Sequence, residues 1–317
     1  MNTTCFLPGS TVPGFDSSLL LDHQADEHWV AGDGEARCSI WWNAVPSLPN
    51  EKLGVIGHFS AQSEVAGHAV LERAAQRLLE SGCSLAAGPM DGNTWRRYRL
   101  VTERGVEPPF FMEPENPDGW PGIFAAAGFE PFAEYSSSLV EDLSRRDPRV
   151  ARARERLEQS GIVIRQLDPA HYEDELCRIH GVSVQSFVHN FLYTELSKDT
   201  FLAQYLPYRE KVRPELVFLA EKDSQTVGYL FALPDFREAL RGESIRTVIG
   251  KTLAVLPGKT YGGLGLVLTE SLHARAQSLG YTRIIHALQY DGNRVRNMSE
   301  FFGHIMRRYT LYSRRLA

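Results

Sequence analysis

One arrangement of elements occurs twice in this chain and constrains the fold more than any other feature. In the first copy, Leu53–Ala61 predicts a strand, helix formers follow, and after Gly82 the segment SLAAG predicts a second strand. In the second copy, the β-branched run Arg246–Leu256 is followed by a glycine turn, an amphipathic helix, Gly280 and the strand YTRIIHALQ. Equivalent points lie about 200 residues apart, which a duplicated α/β unit explains, with chance similarity as the alternative.

The remaining segments set the predicted domain organisation. Each copy is followed by a polar turn, a short helix, a glycine and a last strand, over Trp120–Leu139 and Asn293–Leu316. Residues 141–160 are densely charged and predict a solvated connecting helix that begins at Asp147-Pro148. We therefore predict an irregular arm with one short helix over residues 1–35, a first domain over 36–142, a linker helix over 143–160 and a second domain over 161–317.

Composition and charge narrow the classes of function. The 317 residues are 43% hydrophobic and 23% charged, as in globular proteins, and the net charge of −5 provides no basic field for DNA or an anionic membrane. No apolar run approaches the roughly 20 residues of a membrane-spanning helix, and a secretory signal is not recognisable. The four cysteines form no CxxC pair, which argues against a disulfide framework or a zinc site. These features predict a cytoplasmic protein without a metal.

The turn that opens the second helix is the strongest candidate for a ligand site. The segment Thr260–Gly265 carries three glycines between a strand and a helix. Glycines let backbone amides approach a ligand closely, and a helix N-terminus favours negative charge, so the turn suits a pyrophosphate. Its pattern is neither the Rossmann fingerprint nor a Walker loop. The alternative is a structural role, in which the glycines only permit tight packing of the helix on the sheet.

With its surroundings, this turn resembles the GNAT superfamily of acyl-CoA-dependent N-acyltransferases. The matching positions are the strand exit Val255-Leu256-Pro257, the glycines Gly263, Gly265 and Gly303, and a last strand over Tyr309–Arg315. The resemblance covers roughly residues 162–317 and, more loosely, 36–140, so the chain resembles the tandem two-domain bacterial type. It implies an α+β (mixed α/β) fold of two GNAT-like domains, each with a mixed, largely antiparallel, twisted sheet flanked by helices.

The resemblance also implies a cofactor and the residues that hold it. Acetyl-CoA or another acyl-CoA would be the donor, with its pyrophosphate on the glycine turn and its thioester oxygen on a strand amide around Ala254–Leu256. The residues assigned to the cofactor are Ala254, Val255, Leu256, Lys259, Thr260, Tyr261, Gly262, Gly263, Leu264, Gly265, Asn293 and Arg296. Thr260 stands where the family has Gln or Arg, and the adjacent Lys259 could reach a phosphate instead.

The first half departs further from the family pattern. Its equivalent turn, Gln62–Gly67, has Val65 where a glycine is needed, and Glu64 would face a phosphate. We therefore predict that the first domain binds no coenzyme A.

Catalysis of amide formation needs a base for the ammonium proton and an acid for the leaving thiolate. Asp235 and Glu243, near the ends of predicted central strands, are candidate bases; a helix cap and a solvated charge are their alternative roles. His286 is a third candidate base, with a core histidine as the alternative. The tyrosine that serves the family as acid falls on Ser299, counting back from the late glycine, or on Glu300, counting forward from Asn293.

For several further residues, the sequence alone allows two interpretations. Tyr261 and Tyr309 are candidate acids or packing aromatics. The arginines that could meet the adenosine phosphates, or form a charged outer face, are Arg294, Arg296, Arg307 and Arg308. The tract Trp95–Arg99 could stack on a nucleic acid or line a cleft between the two domains. His23 and His28, flanked by Asp22 and Asp26, could bind a metal or belong to a solvated acidic arm.

The sequence thus favours an acyl-CoA-dependent N-acyltransferase, with acetyl transfer by direct attack of a small-molecule amine on the thioester. An acyl carrier protein is an alternative source of the acyl group, and neither DNA nor a membrane is expected as a partner. A non-catalytic acyl-CoA-binding or sensor protein is the alternative function, because the usual tyrosine is missing. A transferase that uses aminoacyl-tRNA is the second alternative, supported only by the Trp95–Arg99 tract.

Overall fold

Strands from both halves of the chain lie side by side in one continuous sheet. The structure is a computed structural model that describes residues 1–292 and 295–317, apart from the side chains of residues 17, 18 and 295–298. In chain order the strands are β1 (Thr3–Phe6), β2 (Glu27–Ala31), β3 (Ala36–Trp41), β4 (Leu53–Ala61), β5 (Leu85–Gly88), β6 (Leu100–Glu103), β7 (Glu130–Val140), β8 (Val163–Gln166), β9 (Val217–Lys222), β10 (Gln225–Pro234), β11 (Thr247–Val255), β12 (Arg283–Tyr290) and β13 (His304–Arg315).

Helices cover the faces of this sheet. They are α1 (Ser17–His23), α2 (Glu64–Glu80), α3 (Trp120–Ala126), α4 (Arg149–Gln159), α5 (Tyr172–Ser186), α6 (Lys198–Tyr205), α7 (Phe236–Leu240), α8 (Leu264–Ser278) and α9 (Val295–Phe302). In the second half, α4 and α8 pack on one face, whereas α5 and α6 pack on the other. The predicted strand–helix–strand units are therefore β4–α2–β5 and β11–α8–β12.

The last strand of each half pairs with the other half. The order is β1-β2-β3-β4-β5-β13-β7-β12-β11-β10-β9-β8, with β6 also paired to β13. Thus β13 lies against β5, with Tyr312 opposite Gly88, and β7 lies against β12, with Leu139 opposite Ile285. The sequence predicted these two strands but not their exchange, because hydrogen bonds between strands leave no signal in local composition.

The pairing is mixed and largely antiparallel, which confirms the predicted fold class. The parallel pairs are β4 with β5 and β11 with β12, one in each repeated unit, while the other pairs in the described part of the chain are antiparallel. Strands from before and after residues 143–160 belong to the same sheet, so the division into two domains at that segment stays a prediction.

Residues 1–35 differ from the expected irregular arm. They contribute β1 and β2 to the edge of the sheet, together with α1. All five residues of β2 are buried, and Trp29 packs beneath α2 with the Arg73 guanidinium 4.4 Å from its ring centroid. The apolar run is too short to predict a strand by itself, and its burial comes from α2, which is distant in sequence.

The predicted linker helix is present as α4 but is not fully solvated. Its charged residues face outward, while Val150 and Leu157 are buried in the core that α8 also lines. The helix therefore has a fixed place beside α8, and this position brings it to the glycine turn.

Candidate active site

A gap opens between two parallel strands in the second half. β11 and β12 pair from Thr247 opposite Arg283 to Gly250 opposite His286, and both strands continue beyond this point without pairing to each other. Backbone groups along the diverging segments are therefore free to bind a ligand instead of a neighbouring strand.

A cavity of about 760 Å³ occupies this gap and crosses the sheet. On one face it is lined by Thr269 and Leu272 of α8, and on the other by Phe187 and Tyr205 from the end of α5 and from α6. Residues of both diverging strands line it between these faces. Two molecules could therefore meet inside the sheet after entering from opposite faces.

The Trp95–Arg99 tract forms one wall of the cavity. The Trp95 indole donates a hydrogen bond to the carbonyl of Thr194 at 2.7 Å, and Tyr98 packs edge-on against Tyr135 at 5.5 Å between ring centroids. Of the two readings, the structure shows the tract lining a cleft between the halves, which leaves the aminoacyl-tRNA alternative without support from these residues.

The glycine turn lies at the end of β11, beside this gap. Gly263 caps α8 with φ +81°, and a Cβ there would lie 3.1 Å from Cβ of Ala153 on α4. The first amides of α8 have no partner within the helix. Lys259 is exposed, and the Arg156 guanidinium of α4 donates to the carbonyl of Gly262. Free amides, a helix N-terminus and two cations form a site suited to a pyrophosphate.

Arg156 is a candidate that the sequence analysis missed. It belongs to the segment predicted to be a solvated linker, and only the packing of α4 on α8 brings it to the turn. The charged composition of the linker gives no indication of which arginine faces the turn.

The backbone amides predicted to bind the thioester oxygen differ in whether they already donate a hydrogen bond to β10. The amide of Leu256 donates to the carbonyl of Val227 at 2.9 Å, and Ala254 lies opposite Tyr229 in the same ladder. Because successive amides of a strand point to opposite edges, the amide of Val255 points toward the gap. Val255 is therefore the best placed of the three predicted residues, although none of the three lines the cavity.

Asp235 and Glu243 do not line the cavity. Asp235 is buried, and its Oδ1 accepts hydrogen bonds from the backbone amides of Phe111 at 2.8 Å and Arg237 at 3.1 Å, so it caps α7 and holds the two halves together. Burial raises the pKa of its carboxyl. Glu243 is exposed and pairs with Arg241 at 3.2 Å. Their positions give the prediction of a base no geometric support.

His286 lines the cavity, but both of its ring nitrogens have partners. Its Nδ1 lies 2.9 Å from Oγ of Ser299, and its Nε2 lies 2.9 Å from Nε2 of His273. Burial lowers the pKa of His286 to about 4, so the ring is neutral at pH 7. Ser299 is fully buried, accepts a hydrogen bond from Gln289 at 2.7 Å and does not line the cavity. Ser299, one of the two positions predicted for the missing tyrosine, thus belongs to a buried polar chain, whereas Glu300, the other, is exposed.

Both candidate tyrosines pack against other parts of the protein instead of facing the cavity. Tyr309 is fully buried, and its hydroxyl donates to Glu113 and contacts Oγ of Ser137 at 3.0 Å. Burial and the Glu113 carboxylate raise the pKa of this hydroxyl above its usual range. Tyr261 is half-buried and packs against the core that α8 lines. Neither ring lines the cavity.

The predicted phosphate-binding arginines divide into two groups. Arg307 is buried and pairs with Glu113 at 2.7 Å, and Arg308 pairs with Asp291 at 3.3 Å, so these two cations already have carboxylate partners. Asn293 and Arg294 lie outside the described residues, as does the side chain of Arg296.

A chain of histidines occupies the first half. His23 Nδ1 lies 2.7 Å from His58 Nε2, and Ser39 Oγ links the other nitrogen of His58 to His28. His23, His58 and Asp91 offer ligand atoms within 4.8 Å of one another. In this structure the His23 and His58 nitrogens bind each other, Oδ1 of Asp91 accepts from the His58 amide at 2.6 Å, and Oδ2 of Asp91 lies 3.4 Å from Nε of Arg97. Of the residues predicted as a metal cluster, the structure brings His23 and His28 into this chain.

Among the described residues of the first half, the parallel strands β4 and β5 have no equivalent gap. After β5, the amide of Met90 donates to the carbonyl of Ile56 at 2.8 Å, so the chain stays against β4. A Cβ on Gly57 would lie 2.0 Å from the Met90 carbonyl oxygen, which shows how close this contact is. The contact favours the prediction that the first half binds no coenzyme A, which stays a prediction.

Solved structures share this architecture. A fungal glucosamine N-acetyltransferase region of a multi-domain β-N-acetylglucosaminidase aligns over 90% of this chain and 33% of its own, with 14% identity and a TM-score of 0.55. GCN5-related N-acetyltransferases from Anabaena variabilis and Sphaerobacter thermophilus align over 100% and 96% of this chain and 73% and 87% of their own, with 9% and 11% identity and TM-scores of 0.55 and 0.52. The chain has the fold of the GCN5-related N-acetyltransferases.

The resemblance of the sequence to the GNAT superfamily is thus confirmed for the fold. No family model and no curated protein sequence matches the chain. The chain spans about a third of the fungal protein's length. Within the described residues, no helix has both the length and the apolarity that crossing a membrane requires.

Proposed function

We propose that this chain is an acyl-CoA-dependent N-acyltransferase of the cytoplasm that transfers an acyl group, such as acetyl, to a small-molecule amine. The main observation in favour of this proposal is the gap between β11 and β12. It lies between the glycine turn at the start of α8 and the cavity, which residues from both faces of the sheet line and which no residue of the turn lines. This arrangement lets a long thioester donor and a separate acceptor meet within the sheet. The GNAT fold of the solved structures supports it.

The donor would bind along the gap in the second half. Its pyrophosphate would contact the free amides at the start of α8 together with Lys259 and Arg156, where helix dipole and cations act in the same direction. Its pantetheine arm would replace the missing strand pairing between β11 and β12. The thioester oxygen would then meet the Val255 amide, which stabilises the negative charge that develops on attack.

The transfer forms a C–N bond and breaks a C–S bond. The amine nitrogen attacks the thioester carbonyl, the thiolate leaves with a proton, and the amine gives up one proton. Asp235 and Glu243 lie outside the cavity, so in this proposal water in the cavity carries the amine proton away. Positioning of the two reactants and stabilisation of the oxyanion supply the rate enhancement.

Thermal melting with coenzyme A, acetyl-CoA and a long-chain acyl-CoA tests the donor site. A ligand at 100 times its Kd stabilises the folded state by about 2.7 kcal/mol, so the midpoint should rise in the wild type. Arg156→Gln should reduce the shift, and Arg152→Gln, exposed on the same helix, should retain it. The absence of any shift in the wild type with all three ligands would refute the proposal.

A non-catalytic acyl-CoA sensor is the second candidate. The observation in its favour is Ser299, one of the two positions on which the family's acid falls, which is buried away from the cavity. Release of free thiol from acetyl-CoA, measured with and without a panel of amines, separates the two candidates. Acceptor-dependent release supports the transferase, whereas donor binding without release for any amine supports the sensor.

A further inference from the structure

Arg99 is a buried cation without a carboxylate partner. It is 6% exposed and lines the cavity, and its guanidinium lies 4.1 Å from the ring centroid of Tyr98 and 4.3 Å from that of Tyr135. One nitrogen donates to the Tyr98 hydroxyl at 2.7 Å, while Nε has no hydrogen-bond partner. No described carboxylate lies within 4.0 Å of it. The residues beyond description contain neither Asp nor Glu. The charge is therefore uncompensated.

A second cation, Lys251, faces the same cavity. It is the extra residue of a bulge in β11, since Gly250 and Thr252 pair with consecutive residues of β10. It lines the cavity and forms no ion pair among the described residues. Burial and the positive charge of Arg99 lower the pKa of its amine to about 8. The two cations therefore repel each other, with no anion between them.

The acidic groups that line the cavity are already paired. Glu113 binds Arg307 and accepts from the Tyr309 hydroxyl, and Glu115 binds Arg237 at 2.8 Å. Both of these arginines lie outside the lining. The neighbouring cation Arg97 pairs with Asp91 at 3.4 Å. Arg96, which also lines the cavity, donates to the backbone carbonyls of His23 at 3.1 Å and Asp22 at 3.0 Å. Arg99 and Lys251 are thus the lining cations for which the described residues supply neither a carboxylate nor a backbone carbonyl, in a site where an unpaired buried charge is unfavourable.

The rest of the lining is rich in aromatic rings. They come from both halves and include Trp95, Phe191, Tyr193, Tyr205, Tyr208 and Tyr290. Such walls suit a flat or apolar body, while Arg99 and Lys251 suit an anion, because a guanidinium and an ammonium both donate to carboxylate and phosphate oxygens. We propose that Arg99 and Lys251 bind a carboxylate or phosphate-type group of an acceptor whose body is apolar or aromatic. That the anion belongs to an amine acceptor rests on the proposed function.

Binding of three analogues in the absence of any acyl-CoA tests this site. Phenethylamine, phenylalanine and the corresponding aminophosphonate share a phenyl ring and an aliphatic amine. They differ in having no anion, a carboxylate or a phosphonate. Benzoate and phenyl phosphate against benzyl alcohol repeat the comparison without the amine. By calorimetry, we expect anionic members to bind at least tenfold more tightly than their neutral counterparts. The anion with the larger gain in affinity over its neutral counterpart shows whether the site prefers a carboxylate or a phosphate.

Three variants make the test specific. Arg99→Gln and Lys251→Gln should each remove most of the preference for anions, whereas Arg97→Gln, on the same wall but paired with Asp91, should retain it. If Arg99→Gln fails to fold, Lys251→Gln, on a half-buried strand position, carries the test. Equal affinity of neutral and anionic members for the wild type, no binding of any anion, or an unchanged preference in Lys251→Gln would overturn the proposal.

The same samples separate this proposal from the proposed function. A melting shift with acetyl-CoA but no preference for anions would refute the anion site and leave the transferase intact. A preference for anions that depends on Lys251, without a shift by any acyl-CoA, would support the anion site and refute the transferase.

Discussion

At the scale of single residues, several buried histidines are kept neutral by their surroundings. His286 and His273 share a hydrogen bond beneath α9, and His58 occupies a bulge of β4 in the first half. Burial lowers the pKa of His286 to about 4, and burial together with neighbouring positive charge lowers those of His58 and His273 to about 2. An unfolded histidine titrates near 6.5.

These shifts predict that the protein loses stability in mild acid. Below pH 6.5 the unfolded chain binds protons that the folded chain does not, so stability is complete above pH 6.5 and falls as the pH drops toward 4. Each such histidine contributes a slope of up to about 1.4 kcal/mol per pH unit in this window. Urea denaturation at several pH values should show a smaller slope for His286→Gln. His189→Gln, at an exposed site, serves as the control; an unchanged slope in His286→Gln would contradict the prediction.

Among the elements, β4 and β11 show how one backbone geometry carries different side chains in the two halves. Both repeated units carry a glycine followed by a bulge, at Gly57–His58 in β4 and at Gly250–Lys251 in β11. In β11 the bulge directs a lysine to the cavity, and in β4 it places a histidine in a buried chain. The shared geometry with different side chains agrees with duplication followed by divergence.

The two glycines at the start of α8 should differ sharply in their tolerance of a methyl group. Gly263→Ala forces a side chain into φ +81° and within 3.1 Å of Ala153, so we expect a loss of about 1–3 kcal/mol in the free energy of unfolding. At Gly265 the nearest atom lies at 3.5 Å, and Ala should stabilise the helix by up to about 1 kcal/mol. Urea denaturation measures both, and equal effects would refute this account of the turn.

At the scale of the whole molecule, the exchange of β7 and β13 joins the two halves. Without β13, the first half leaves β5 and β7 without their shared partner, and without β7, the second half leaves β12 with an unpaired edge. Unpaired inner strands expose backbone groups and apolar side chains. The halves therefore depend on each other for folding, although each contains its own repeated unit.

Separate fragments test this dependence. Residues 1–142 and 161–317, expressed alone, should be unfolded or aggregated, and their coexpression should give a folded complex if the linker serves only as a tether. Circular dichroism and cooperative urea unfolding provide the measurement, with the intact chain as reference. A fragment of residues 1–142 that unfolds cooperatively by itself would contradict the role assigned to the exchanged strands.

The sequence by itself determined the repeated strand–helix–strand units and the glycine turn, because local periodicity, helix ends and glycine placement are encoded by neighbouring residues. The mixed fold class came from the resemblance of the sequence to the GNAT superfamily. The sequence also offered the cleft-lining alternative for Trp95–Arg99, and the structure places the tract in the cavity wall.

Tertiary structure alone decided the strand exchange, the position of Arg156 and the surroundings of Asp235 and Ser299. Each depends on contacts between residues more than about 100 positions apart, as when the Phe111 amide binds Asp235, or on a helix face chosen by packing. The surplus charge of Arg99 and Lys251 is of the same kind, because whether a cation has a partner depends on which carboxylates other strands bring near it.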